Sequence, residues 1–106
     1  MLTQEDKQLI ADYMGWPKIS SDDVYGREIE GSEDQLCVIR YNLNDAGLCV
    51  EKMSNTPQEI DFKNFINIAI TTWNKTKARQ SFDSWLFNAD NFFSAMAAWL
   101  RERKEK

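Results

Sequence analysis

The residue types best suited to chemistry in this chain are two cysteines, a few serines beside a lysine, and many carboxylates, whereas histidine is absent. A cysteine or serine nucleophile needs a base to activate it, and Cys37 and Cys49 have no histidine for that role. No serine lies in a GxSxG turn, and the grouping of Ser20 and Ser21 near Lys18 is typical of a polar loop. These observations exclude histidine-dependent catalysis, and we expect a protein that is not an enzyme.

The two cysteines stand among apolar residues, in Leu36-Cys37-Val38-Ile39 and Leu48-Cys49-Val50, and they form no CxxC pair. Cysteines in such surroundings usually behave as small buried hydrophobic residues. We therefore expect two free thiols in a reducing compartment, with a single disulfide as the alternative. The sequence has no evident signal peptide and no apolar run long enough for a membrane span, so it predicts a cytoplasmic protein without membrane contact.

Carboxylates are concentrated in the polar segment 18–34. Carboxylate oxygens suit Mg²⁺ and Ca²⁺, but the segment lacks the spacing of an EF-hand calcium loop. The glycines of the chain also lack the spacing of phosphate-binding loops. We therefore expect no metal and no cofactor. The segment is interpreted either as a solvated connector or as a negative surface that binds a basic partner, with the candidate residues Asp22, Asp23, Glu28 and Glu30.

The net charge of −4 conceals an uneven distribution along the chain. Residues 1–61 contain thirteen acidic and five basic residues, for a net −8, while residues 62–106 contain four acidic and eight basic residues, for a net +4. Basic residues cluster at the C-terminal tail and in a predicted hairpin that carries Lys75, Lys77 and Arg79. Opposed charged surfaces favour a protein partner or self-association. The basic hairpin beside Trp73 provides the alternative, a nucleic-acid-binding module that contacts phosphates and stacks a base.

The elements that must position these residues follow from hydrophobic spacing and from cap residues. Residues 3–14 have a helical apolar stripe, with Thr3 as N-cap and Gly15 as the stop signal. Segment 18–34 is predicted to be a long polar loop, 35–41 a strand, and 45–53 a short helix capped by Asn42 or Asn44.

The second half of the chain predicts two strands and a helix. In 64–73, Ile66, Ile68 and Ile70 recur at period two, which is typical of a strand. Residues 74–77 are predicted to form a hairpin turn that leads into a second strand over 78–87. The last helix is predicted over 90–104, with Asn88 or Asp90 as its cap. The resulting fold class is a single α+β domain spanning 1–106, with a small antiparallel sheet packed between helices in an α-β-α layered sandwich.

Three short motifs resemble the phage ABA sandwich domain, a family of small proteins from bacteria and their phages. They are Leu9-Ile10 leading to Met14-Gly15-Trp16, the helix from Asn44-Asp45-Ala46 to Val50-Glu51-Lys52-Met53, and the closing run Ser94-Ala95-Met96-Ala97-Ala98. The resemblance implies a sheet between helical layers and a phage or prophage setting, and it assigns no catalytic residues. Together with the residue-level observations, it predicts a small non-enzymatic accessory or interaction protein of phage type.

Overall fold

The computed structural model describes residues 2–19, 24–29, 32–77 and 79–105, with the side chains of 28–29, 32–36 and 104–105 left out of the description. Five α-helices and one pair of strands lie within these residues. In chain order the elements are α1 Gln4–Met14, β1 Gly26–Ile29, β2 Ser32–Val38, α2 Leu43–Ser54, a 3-10 turn Pro57–Glu59, α3 Ile60–Thr76, α4 Phe82–Leu86 and α5 Ala89–Glu105.

The three helices predicted from caps and helical spacing are confirmed. The hydroxyl of Thr3 accepts a hydrogen bond from the backbone N–H of Asp6, whose carboxylate in turn accepts from the Thr3 N–H. Gly15 ends α1 in the left-handed conformation, with φ of 76°. The side chain of Asn42 caps α2, and that of Asn88 accepts from the first backbone N–H groups of α5.

The strand predicted over 64–73 is wrong, because this segment is the middle of α3. The period-two isoleucines coexist with a second pattern, in which Phe62, Phe65, Ala69 and Trp73 recur at helical spacing. Phe65 and Ala69 are fully buried in the core, while Ile70 is exposed. Burial of the helical stripe therefore overrides the β-branched composition of the segment.

The hairpin over 74–77 and the strand over 78–87 are also wrong. Residues 74–76 form the last turn of α3, and Lys77 ends it with φ of 53°. The chain then enters α4, whose N-cap Ser81 accepts a hydrogen bond from the Ser84 N–H. Phe82 and Trp85 lie three positions apart, so a helix brings their rings together, with centroids 6.3 Å apart.

The predicted loop over 18–34 is wrong for its second part, which contains β1 and the beginning of β2. The two strands pair antiparallel, with Gly26 opposite Val38 and an irregularity after Glu28. Tyr25, which precedes β1, is buried, and its hydroxyl donates to the side chain of Gln8 on α1 at 3.0 Å. The strand predicted over 35–41 exists but is shifted to 32–38. Backbone pairing thus orders a polar segment whose composition is typical of a loop.

The core lies mainly between helices. Phe65 of α3 packs against Phe92 and Trp99 of α5, with ring centroids 5.0 and 6.3 Å apart, and Tyr13 of α1 contacts Trp99 edge-on. The fold is mostly helical with a small two-stranded antiparallel sheet, which fits the α+β class. The layered sandwich is not confirmed, because the segments predicted as its central strands are α3 and α4. None of the helices in the described ranges combines the length and the hydrophobicity that a membrane span requires.

Candidate docking groove

An apolar groove of about 300 Å³ lies where α2, α3 and α4 meet the beginning of α5. Positions 43, 46, 47 and 50 recur at helical spacing, so they place one face of α2 along the groove. The other walls come from Phe62 and Phe65 of α3 and from Leu86 and Phe87 at the end of α4. The groove is therefore built from four helices that follow one another along the chain, with its lining residues between positions 43 and 92.

Two large apolar side chains at this groove are exposed to solvent. The exposed fraction is 72 % for Phe87, which ends the short helix α4, and 53 % for Leu43, which begins α2. Gly47 lies between the groove walls, and a Cβ added there would meet no heavy atom within 4 Å. Both exposed side chains line the groove, so it presents apolar surface to solvent.

The charge around the groove is negative. Asp83 lines the groove itself. A neighbouring shallow hollow shares Leu43 with the groove and is lined by Asp90 and by the side chains of Asn44 and Asn88. Among the described residues, neither lining includes a lysine or an arginine. The groove can therefore accept apolar groups, and its surroundings favour positive charge beside them.

The carboxylate of Asp45 fixes α2, which forms one wall of the groove. Asp45 is buried, and one of its oxygens accepts hydrogen bonds from the backbone N–H groups of Arg40 and Tyr41, at 2.9 and 3.0 Å. Its other oxygen lies 3.6 Å from Nε of Arg27 on β1. These contacts join α2 to β1 and to the residues that follow β2, so Asp45 is a structural anchor for this part of the fold.

A second, more polar hollow of about 360 Å³ lies between α3 and α5, beside Asp61, Asn64 and Arg103. The hydroxyl of Tyr13 donates to the carboxylate of Asp61 at 2.8 Å, and Nη1 of Arg103 lies 3.3 Å from the same oxygen. Burial, together with the hydrogen bond and negative charge of Asp61, raises the pKa of Tyr13 well above its usual range. These groups bind one another and thereby join α1, α3 and α5.

The basic residues predicted for a nucleic-acid site lie at the end of α3 and just beyond it. Lys75, Lys77 and Arg79 are all exposed. Trp73 is partly buried, its ring packs on Phe82, and its indole N–H donates to the backbone oxygen of Gln80 at 3.0 Å. The indole is thus engaged in holding the connection between α3 and α4.

The acidic candidates from the sequence cannot be placed as a surface. Asp22, Asp23 and Glu30 lie outside the described residues, and Glu28 lies in β1 with its side chain outside the description.

The groove was not predicted from the sequence. Its only local signals are Gly47 in the middle of a helix and Phe87 after a short one, and neither identifies the four elements that meet there.

The charge split along the sequence is partly neutralised within the fold. Arg101 of α5 pairs with Asp6 and lies 4.0 Å from Glu5, both in the first turn of α1. Arg103 pairs with Asp61 at the beginning of α3. The basic C-terminal half therefore supplies partners to the acidic N-terminal half, which reduces the separation of charge that the sequence predicts.

Both cysteines are free, as expected from the sequence. Cys49 is fully buried, and burial together with the nearby Asp45 raises the pKa of its thiol to about 12. Cys37 is partly exposed. In the part of the chain that the structure describes, no group of three or more Cys, Asp or Glu side chains is arranged to hold a metal ion.

Comparisons of this chain with models of protein families, with curated proteins and with solved structures gave no match. The resemblance to the phage ABA sandwich domain therefore stays a prediction from the sequence.

Proposed function

We propose that this chain is a non-enzymatic interaction protein whose docking surface is the groove between α2, α3 and α4. The observation that carries the proposal is the exposure of Phe87 and Leu43 at a hollow lined almost entirely by apolar side chains. Large side chains left in water at a concave apolar surface are typical of the anchors at the centre of protein interfaces.

The chemistry of the lining supports binding rather than catalysis. Asp83 is the only charged residue among the described residues that line the groove, and that lining includes no serine, threonine or cysteine. A lone carboxylate at an apolar hollow lacks the paired acid and base that most hydrolytic mechanisms require. The same carboxylate, with Asp90 nearby, favours a partner that carries positive charge next to its apolar side chains.

A display selection with random peptides tests the proposal. Peptides are selected on the wild type and then compared on Gly47→Ala and Gly47→Phe. Both substitutions replace the same helical glycine, but only the phenylalanine side chain fills the groove. We expect peptides that bind the wild type and Gly47→Ala equally and lose about tenfold or more on Gly47→Phe, which corresponds to about 1.4 kcal/mol. A selection that yields no such peptide would contradict the proposal.

The biological setting is part of the same proposal. The resemblance to the phage family supports an accessory role of phage or prophage type, and the two free thiols suit the reducing cytoplasm. The genomic neighbourhood tests this setting. A run of phage structural or replication genes around the coding sequence is the expected finding, and an unrelated metabolic operon would contradict it.

Nucleic-acid binding is the second candidate function, and the observation that favours it is the exposure of three basic residues close in sequence, Lys75, Lys77 and Arg79. Titration of labelled single-stranded and duplex DNA at about 50 mM salt distinguishes the two functions, because phosphate contacts weaken steeply as salt rises. Binding that is lost in Lys75→Glu/Lys77→Glu and kept in Gly47→Phe would favour this second function. Binding that is absent or unchanged in the double variant removes it.

A further inference from the structure

We infer that the groove binds an amphipathic helix with basic residues beside its apolar face, an inference that rests on the proposed docking function. The first support is the composition of the walls. The lining comes from helices and from the residue that follows α4, and neither β1 nor β2 contributes to it among the described residues. An extended segment binds best by adding to an open strand edge, and the described lining provides none.

The backbone of the occupant gives the second argument. Every peptide group carries a hydrogen-bond donor and acceptor that must be satisfied when it leaves water. The lining provides one polar side chain, Asp83, amid apolar ones. The backbone groups of an extended segment that face the groove would find few partners there, whereas a helix satisfies its backbone groups internally and presents only side chains.

The charge of the occupant follows from the position of the acids. Asp83 lines the groove from α4, and Asp90, at the beginning of α5, lines the neighbouring hollow that shares Leu43 with the groove. Lysine or arginine residues that flank the apolar stripe of a helix can reach these carboxylates while the stripe occupies the groove. The proposed occupant is therefore a basic amphipathic helix of a partner protein.

Three synthetic peptides of about sixteen residues test the inference, a length at which helices become stable enough to compare. The first places leucine at helical spacing with lysines flanking the stripe. The second has the same composition with leucine at alternate positions. The third keeps the helical pattern and replaces lysine by glutamate. The affinity of each peptide is measured by calorimetry. Gly47→Ala and Gly47→Phe test whether the groove must be open. Asp83→Asn tests the groove carboxylate, and Asp12→Asn on α1 is the control for loss of one exposed carboxylate.

We expect the basic helical peptide to bind Gly47→Ala about tenfold more tightly than either other peptide, and to lose that advantage on Gly47→Phe. Asp83→Asn should weaken it about two- to fivefold at low salt, and Asp12→Asn should leave it unchanged. If the alternating or the acidic peptide binds Gly47→Ala as tightly as the basic helical peptide and loses affinity on Gly47→Phe, the helix inference is overturned and the docking function is retained. Equal binding of all peptides to both Gly47 variants would overturn both. Concentration-dependent dimers that disappear in Gly47→Phe would identify a second copy as the occupant and overturn the inference.

Discussion

Arg101, near the end of α5, pairs with the carboxylate of Asp6 in the first turn of α1, although the two residues are 95 positions apart. The same carboxylate accepts the backbone N–H of Thr3 and completes the capping box of α1. One side chain thus starts the first helix and joins it to the last. This contact uses two charges that the sequence alone assigns to opposite surfaces.

Replacing Asp6 by alanine should lower the free energy of unfolding by about 1 kcal/mol near neutral pH, through loss of half of the capping box and of a surface ion pair. Burial raises the pKa of Asp6, but its hydrogen bonds with Thr3 and Arg101 outweigh burial and lower it overall. The stabilisation is therefore present above the ordinary carboxyl pKa and is lost as pH falls through the lowered folded value. Urea unfolding of wild type and Asp6→Ala at several acidic pH values should show the difference shrinking, and a difference that stays constant would contradict this explanation.

Asp45→Ala should be much more destabilising, by roughly 2–4 kcal/mol. The substitution leaves the backbone N–H groups of Arg40 and Tyr41 without their acceptor and removes the negative charge beside Arg27. Asp45→Asn retains an acceptor oxygen and should lose less. The measurement is the urea midpoint of each variant, and an alanine variant within about 0.5 kcal/mol of wild type would show that Asp45 is not an anchor.

Tyr13 should stay protonated in the folded protein at pH values where tyrosine normally ionises, near 10. Its raised pKa stems from burial and from Asp61, so the stabilising contact is present below the ordinary pKa and is lost as pH rises through the higher folded value. Ring-carbon NMR of labelled tyrosine follows this titration, and Tyr13→Phe identifies the signal. Asp61→Asn should move the pKa back toward 10, and a wild-type Tyr13 that already titrates there would refute the assignment.

The two thiols should differ sharply in reactivity. Cys49 is fully buried with its pKa raised to about 12, so its thiolate is scarce at neutral pH, whereas Cys37 is partly exposed. Each single variant leaves one thiol for a reagent such as Ellman's. In Cys37→Ser the remaining thiol, Cys49, should react only at the rate of unfolding. In Cys49→Ser the remaining thiol, Cys37, should react much faster. Equal rates in the native state, with equal rates in urea as the control, would contradict the burial of Cys49.

Gly47→Ala should raise the free energy of unfolding by about 1 kcal/mol, because alanine is the better helix former and the added Cβ meets nothing. The gain is checked by urea unfolding against the wild type. A loss of stability would show that a side chain at position 47 meets other atoms, and it would contradict the presence of an open groove there.

The capped helices could be predicted from the sequence because their signals are local. Thr3, Asn42 and Asn88 each accept backbone hydrogen bonds within three residues, so the order of residues alone identifies these ends. The segment 64–73 could not be predicted in the same way. Its isoleucines satisfy a strand pattern, and the helix is decided by the packing of Phe65 and Ala69 in the core, which depends on distant elements.

The candidate site was harder to predict for a related reason. Exposed charge can be counted along a chain, and the cluster at Lys75, Lys77 and Arg79 is indeed exposed. A groove is formed by the space that several elements leave between them. Nothing near Phe87 in the sequence shows that Leu43 and Gly47 line the same space, because they lie about 40 positions away along the chain and only the packing of the helices brings them together.

The central claim, that the groove is where partners dock, is tested most directly by mapping the binding site with amide-resolved NMR. The basic helical peptide is titrated into labelled wild-type protein and into Gly47→Phe. We expect shifts concentrated at Leu43, Gly47, Val50, Phe62 and Phe87 in the wild type and their loss in the variant. Shifts centred on Lys75, Lys77 and Arg79, and unchanged in Gly47→Phe, would contradict it.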